Sequence, residues 1–299
     1  MTLLEQEIRE QPAVLARLID SQAEAARKLA RAIRERGIQY ILIAARGSSD
    51  NAARYAQYLF GAHNRLPVAL ATPSLFTLYQ QPPRLQNALV IGISQSGQGP
   101  DIVKVVEEGR RQGALTLAIT NYPDSPLAAT AEHCLFLEAG EERSLAATKT
   151  YTAQLAVLAL LSTALSDDGA RTEALQRMPE AVQTTLDRAA EPALRAAERW
   201  LHAEQGVVIG RGYNYATAFE IALKLAEIVY LPLQPYSSAD FRHGPFALVE
   251  ANFPALFVVP GGSTFGDVFN LLEAMHRCGA DLLVISDEVA ALERGAVRF

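Results

Sequence analysis

The sequence repeats itself, and that repetition limits the possible folds more than any composition does. Ala45-Arg46-Gly47 returns as Gly210-Arg211-Gly212 at an offset of 165 (212 minus 47), and Ala53 is matched by Ala218. Further along, Asp101 matches Asp267, Gly113-Ala114 matches Gly279-Ala280 and Ile119 matches Ile285, at an offset of 166 (267 minus 101). Two stretches that keep nearly one offset indicate two copies of one folding unit. The boundary falls near Thr185, giving units over 1–185 and 186–299.

Each unit alternates short apolar runs with amphipathic stretches. Tyr40 to Ala44, Val68 to Leu70, Leu89 to Ile93, Leu115 to Thr120 and Cys134 to Leu137 read as strands, separated by stretches of helical spacing such as 101–112. The strands are apolar and rich in branched residues, as suits burial on both faces of a parallel sheet. The expected class is α/β, an αβα sandwich built twice. An amphipathic helix carrying Val14, Leu18, Ala25 and Leu29 precedes the first strand and stops at Gly37. Helices over 146–165 and 173–201 join the two halves, with an Asp167-Asp168-Gly169 turn between them and Pro179 and Pro192 dividing the second.

The run Ala88 to Asp101, ALVIGISQSGQGPD, holds the chemistry of the first copy. Its strand ends in Ser94, Gln95 and Ser96, and Gly97 and Gly99 stand directly before a helix. The first N–H groups of a helix lack intrahelical partners, and the helix dipole favours negative charge there. Glycines allow close backbone approach, and the two hydroxyls can donate hydrogen bonds. The segment reads either as a phosphate site or as a capped turn that binds nothing. In the second copy the corresponding residues are Pro260-Gly261-Gly262-Ser263, so most side-chain donors are gone and the site is expected in the first copy alone.

The second copy offers carboxylates instead. Tyr213 to Tyr230 reads as a buried helix, apolar almost all round, whose charges Glu220, Lys224 and Glu227 fall along one stripe. The stripe is either an exposed ion-paired face or the wall of a polar cavity. Downstream, Ser237 to Pro245 carries His243, and imidazole is the side chain best suited to proton transfer near neutral pH.

Composition excludes other classes. The formal net charge of -6 argues against a nucleic-acid partner. Two cysteines, Cys134 and Cys278, and five histidines without ligand spacing suggest neither a disulfide framework nor a metal site, and no cofactor is expected. The acidic N-terminus is unlike a signal peptide, and Leu155 to Leu161 is far too short for a bilayer, which needs about 20 residues. A reduced, cytoplasmic protein without membrane contact is the expectation.

Five segments together resemble the tandem sugar isomerase (SIS) domain family, in particular the isomerase half of the glutamine:fructose-6-phosphate aminotransferases. They are Ala45-Arg46-Gly47-Ser48-Ser49, Ser94-Gln95-Ser96-Gly97, Ala146-Ala147-Thr148-Lys149, the helix from Glu220 to Glu227, and His243-Gly244-Pro245. The segment Glu142-Arg143-Ser144, with Arg242 before the histidine, is closer to the stand-alone amino-sugar phosphate deaminases of that family. The resemblance implies two SIS domains, each a mostly parallel sheet flanked by helices, the second without the family's lysine-bearing C-terminal tail. It implies a phosphate site at Ser49, Ser94, Gln95, Ser96 and Gly97, with Ala147 and Thr148 also against the substrate. It makes Glu227 the base between C1 and C2, His243 the ring-opening group from a neighbouring subunit of a homodimer, and Lys224 a stabiliser of the open-chain intermediate. Gly99, Ala147 and Gln234 depart from the family's usual Thr or Ser, Ser and Glu.

The expected activity is interconversion of glucosamine 6-phosphate with fructose 6-phosphate and ammonia. The alternatives are a deglycase or isomerase for another sugar phosphate, and a sugar-phosphate binding module without catalysis.

Overall fold

The computed structural model describes every residue from Met1 to Phe299 except Asp167, so the expected Asp167-Asp168-Gly169 turn lies partly outside the described residues. Two compact units emerge, Met1–Gln183 and Thr184–Phe299.

The first unit opens with α1 (Leu3–Glu35), which runs unbroken through Pro12. There follow β1 (Tyr40–Ala44), α2 (Ser48–Asn64), β2 (Val68–Leu70), α3 (Pro73–Thr77), β3 (Ala88–Ile93) and α4 (Pro100–Arg111). The unit continues with β4 (Leu115–Thr120), α5 (Pro126–Thr130), β5 (His133–Phe136) and α6 (Lys149–Ser166). All ladders are parallel in the order β2-β1-β3-β4-β5, with Ile41 opposite both Val68 and Leu89. Every residue of β3 and β4 is buried, as the largely apolar runs of central strands covered on both faces require, with Thr116 and Thr120 the polar members of β4. One core joins the sheet to α1, α2 and α6 through Leu18, Phe60, Ile91 and Leu161. Another lies on the opposite face, where Val90, Val105, Val106 and Leu127 meet.

Next comes α7 (Gly169–Arg199), a single helix that passes through Pro179 and Pro192. The expected division at these prolines is therefore absent. Only Leu175 of this helix is buried, so carbonyls deprived of a donor by the proline rings can turn to water.

The second unit contains β6 (Gly206–Gly210), α8 (Tyr213–Val229), β7 (Leu233–Ser237), α9 (Ser238–Arg242), a 3-10 turn over Pro245–Leu248 and β8 (Pro254–Val258). It closes with α10 (Phe265–Arg277), β9 (Asp281–Ile285), α11 (Val289–Leu292) and β10 (Val297–Arg298). Its parallel sheet runs β10-β9-β8-β6-β7, which read from the other end repeats the order of the first sheet. The repetition extends to backbone detail. Gly47 and Gly212 precede α2 and α8 with φ of 55° and 62°, and Arg65 and Tyr230 end those helices in the left-handed region.

The two copies differ around these helices. α2 packs against α6, with Asn64 and Ser162 exchanging hydrogen bonds of 2.9 and 2.6 Å. No helix corresponding to α6 stands in the second unit among the described residues, and α8 buries only Ala216, Ala218, Glu220 and Ala222. The expectation of a buried α8 is corrected accordingly. It packs against the sheet and shares a core with Trp200 through Ala218 and Ala222, while Ile228, Val229 and Tyr230 are exposed.

Candidate functional site

In the first unit the chain leaves β1 toward β2 on one side and returns to β3 on the other. The crevice at the carboxyl ends of β1 and β3 is thus the switch point of the sheet, where open α/β folds bind ligands. Arg46 to Ser49 and Ser94 to Asp101 border it, and a third segment, the strap from Gly140 to Thr148, is tied to the second through Asn121.

The middle segment is organised by its own hydroxyls. Gly97 N–H donates to Ser94 Oγ at 3.1 Å, and Gln98 N–H donates to Ser96 Oγ at 3.3 Å. Both hydroxyls act as acceptors here and so keep a hydrogen of their own to give. Gly97 has φ of 63°, and a Cβ there would fall 2.3 Å from Ser125 Oγ. It is glycine because of the turn and of Ser125, a buried cap of α5, rather than to admit an anion. Gly99 caps α4 in extended conformation without a side-chain bond. The Gln95 carbonyl accepts from Asn121 N–H at 3.0 Å and from Thr120 Oγ1 at 3.2 Å, while its side chain is half-buried.

Asp101 places a carboxylate in the first turn of α4, and Arg46 offsets it with Nε at 2.9 Å and Nη2 at 2.8 Å from Oδ2. Ser49, in the first turn of α2, is buried, and its Oγ accepts from Gln154 Nε2 at 3.0 Å.

The strap is held by buried charge. Asn121 ties its start to the serine loop, accepting from Ala139 N–H at 3.0 Å and donating to Gly140 O at 2.5 Å. Glu142 accepts from Thr148 N–H at 2.9 Å, Thr148 Oγ1 at 3.1 Å and Thr150 N–H at 3.2 Å, and also from the Thr150 hydroxyl. Both donors of Thr148 are therefore given to Glu142, and Ala147 beside it is half-buried. Lys149, buried, binds Glu10 at 2.6 Å and the Glu141 carbonyl at 2.7 Å. Glu7 accepts from the N–H groups of Arg143 at 2.6 Å and Ser144 at 3.1 Å. Burial pushes the Glu7 carboxyl up, but these donors outweigh it and hold the group below its ordinary range. Sequence reasoning passed over Glu7, Asn121 and Gln154. Only Gln154 left a signal, as the sole amide of its helix, set between apolar residues from Ala153 to Leu161.

In the second unit the stripe on α8 is a pairing network. Lys224 Nζ lies 2.7 Å from Glu227 Oε2 and 3.5 Å from Glu220 Oε1. A cavity of about 630 Å³ adjoins the helix, but its walls are mainly Ala, Leu and Ile with Glu220 and Lys224 among them, and Glu227 is not a lining residue. That cavity is therefore largely apolar and leaves Glu227 outside it. His243 is exposed just past α9, its N–H donating to Asp240 O at 3.0 Å. The counterpart of the serine loop is engaged within the chain, since Gly261 N–H donates to Asp287 Oδ1 at 2.7 Å. Asp267 is held by Ser238 and by Arg242 at 2.9 Å. The Ser238 hydroxyl first, and then the arginines, hold its carboxyl below the usual range.

The sequence pattern of the SIS domain matches residues 36–164 and 201–291, one stretch in each unit. The chain belongs to the SIS domain family. The glutamine–fructose-6-phosphate aminotransferase (isomerizing) of Pyrococcus horikoshii is 32% identical to it over 292 residues, covering 95% of this SIS protein and 48% of the relative. The chain thus spans about half the length of the curated relatives it matches. Among solved structures, a Silicibacter pomeroyi protein assigned as a phosphosugar isomerase superposes with a TM-score of 0.90 at 33% identity, covering 97% of this chain and 87% of that one. The C-terminal domain of the Francisella tularensis glucosamine-fructose-6-phosphate aminotransferase gives 0.84 at 26% identity, with 99% and 87% covered. Both the relatives and the tandem parallel sheets agree with the resemblance read from the five motifs.

Proposed function

We propose that the first unit binds a sugar 6-phosphate in its switch-point crevice and that the protein interconverts glucosamine 6-phosphate with fructose 6-phosphate and ammonia. The observation that carries the phosphate site is the contrast between the copies. In the first, Ser94 and Ser96 keep hydroxyl hydrogens at the start of α4; in the second, the protein's own Asp287 takes a loop N–H. The names of the relatives support a sugar phosphate as the anion.

In this reading Ser49, Ser94, Gln95 and Ser96 hold the phosphate, and the strap with Ala147 and Thr148 borders the sugar. Glu227 takes the proton from C2 of the open-chain amino sugar and returns it to C1. This leaves an imine at C2, which water hydrolyses to the ketone with release of ammonia. Lys224 supplies positive charge for the enediol-like intermediate, and His243 of a neighbouring subunit moves the proton that opens the ring. The assembly is then a two-fold homodimer.

Incubation of glucosamine 6-phosphate in heavy water tests the reading, because loss of the C2 proton reports enolisation even without ammonia release. Exchange at C2 is expected. Tight binding of fructose 6-phosphate with no exchange from any sugar phosphate would overturn catalysis and leave a binding module.

A further inference from the structure

Gln154 is the only amide on α6, and it is buried to 1% exposure. Its Nε2 donates to Ser49 Oγ at 3.0 Å, while its Oε1 has no hydrogen-bond partner among the described residues. The reverse orientation would strand buried N–H donors, which proteins tolerate less well than an under-used carbonyl. A serine oxygen has two lone pairs and one hydrogen. With one lone pair filled by Gln154, the Ser49 hydrogen cannot point at the amide and is left for an acceptor elsewhere. The repeat shows the contrast. The counterpart of Ser49 is Asn214, whose Oδ1 accepts locally from Thr217 Oγ1 at 3.2 Å.

We infer that Gln154 is a positioning residue that sets Ser49 as a hydrogen-bond donor to the substrate phosphate. An unmet acceptor buried this deeply is costly, and orientation of a phosphate ligand offsets that cost. The inference rests on the phosphate reading above. A neutral amide suits the place, because a carboxylate there would accept the Ser49 hydrogen and set a negative charge behind the phosphate.

The test is calorimetric titration of fructose 6-phosphate into the wild type, Gln154→Glu, Gln154→Met, Ser49→Ala and Ser49→Ala/Gln154→Met, with melting temperatures alongside. Relative to wild type at the same pH, Gln154→Glu should lose about tenfold or more of its affinity at pH 8. Much of that loss should return at pH 5.5, since a buried carboxyl titrates above its ordinary ~4.3 and can donate again once protonated. Gln154→Met should lose affinity equally at both values, and should cost nothing further once Ser49 is alanine. A merely structural glutamine would lower the melting temperature and leave the ratio to wild type flat with pH. Such a flat ratio, or additive losses in the double variant, would overturn the role of Gln154 alone. Absence of phosphate-dependent binding in the wild type would overturn the phosphate reading, and this inference with it.

Discussion

Arg46 Nη2 stands 2.8 Å from Asp101 Oδ2, and their counterparts one repeat later, Arg211 and Asp267, stand 3.7 Å apart. The pair ties the loop after the first strand of each unit to the helix after the third. Its presence in both copies, of which only one keeps the serine loop, marks it as part of the scaffold. In the first unit it also decides how much negative charge an incoming anion meets.

Arg46 is well exposed, so its pairing should contribute no more than about 1 kcal/mol to stability. Arg46→Ala nevertheless leaves the Asp101 carboxylate uncompensated beside the serine loop, and fructose 6-phosphate affinity should fall by about three- to tenfold at low salt. Asp101→Asn in the same background should restore it. Titrations at low salt and at about 0.5 M salt check this, because screening should shrink the Arg46→Ala deficit.

The two glycines of the serine loop should respond oppositely to substitution. Gly97→Ala forces an alanine to φ of 63° and against Ser125, and should destabilise the protein by about 1–3 kcal/mol. Gly99→Ser meets ordinary contact distances at a negative φ and supplies α4 with a side-chain cap. It should be neutral or stabilising by a few tenths of a kcal/mol. Thermal denaturation of both variants measures the contrast.

Much of this architecture was legible because it rests on local pattern. The strand β3 announces itself as an unbroken apolar run and β4 as a largely apolar one, and the repeat of Arg46 and Asp101 at Arg211 and Asp267 gives the tandem organisation directly. The strap was not legible. Glu7 meets Arg143 and Ser144 across more than half the first unit, and nothing in the amphipathic pattern of α1 distinguishes that glutamate from its neighbours. The prolines of α7 misled for a different reason. Proline propensity assumes carbonyls that must find partners inside the protein, whereas an exposed helix can leave them to water. The same local reasoning made α8 too buried, because apolar composition does not say which neighbours are present to cover it.

Acid should reveal the Glu108 cluster. Arg111 donates to Glu108 through Nε and Nη2, each at 2.7 Å, and Gln112 Nε2 adds another at 2.7 Å. The Arg111 hydrogen bonds outweigh burial and lower the carboxyl from 4.5 to about 2. A carboxyl depressed in the folded state stabilises above its unfolded pKa and loses that contribution as pH falls through the folded value. Glu108→Gln should therefore melt below wild type at pH 7, and the gap should close between about pH 4.5 and 2. Melting curves across that range check the sign.

Glu227 provides the sharpest separation of binding from chemistry. It is the outer carboxylate of the α8 stripe, half-exposed and 2.7 Å from Lys224, whereas Glu220 is buried deeper and 3.5 Å from the same ammonium. A base that moves a proton between adjacent carbons needs a reachable oxygen and a nearby positive charge for the intermediate, and Glu227 has both. Glu227→Gln keeps the shape and one hydrogen-bond acceptor but removes the basic oxygen. Fructose 6-phosphate should bind within about threefold of wild type, while C2 exchange of glucosamine 6-phosphate should fall by about 10²-fold or more. Lys224→Met should also slow exchange, with its effect largely absorbed when Glu227 is already glutamine. Ser96→Ala should do the reverse, weakening binding of substrate and product alike with little change in kcat. Full exchange in Glu227→Gln would move the base to another carboxylate, and Glu220→Gln would then be the variant in which exchange disappears.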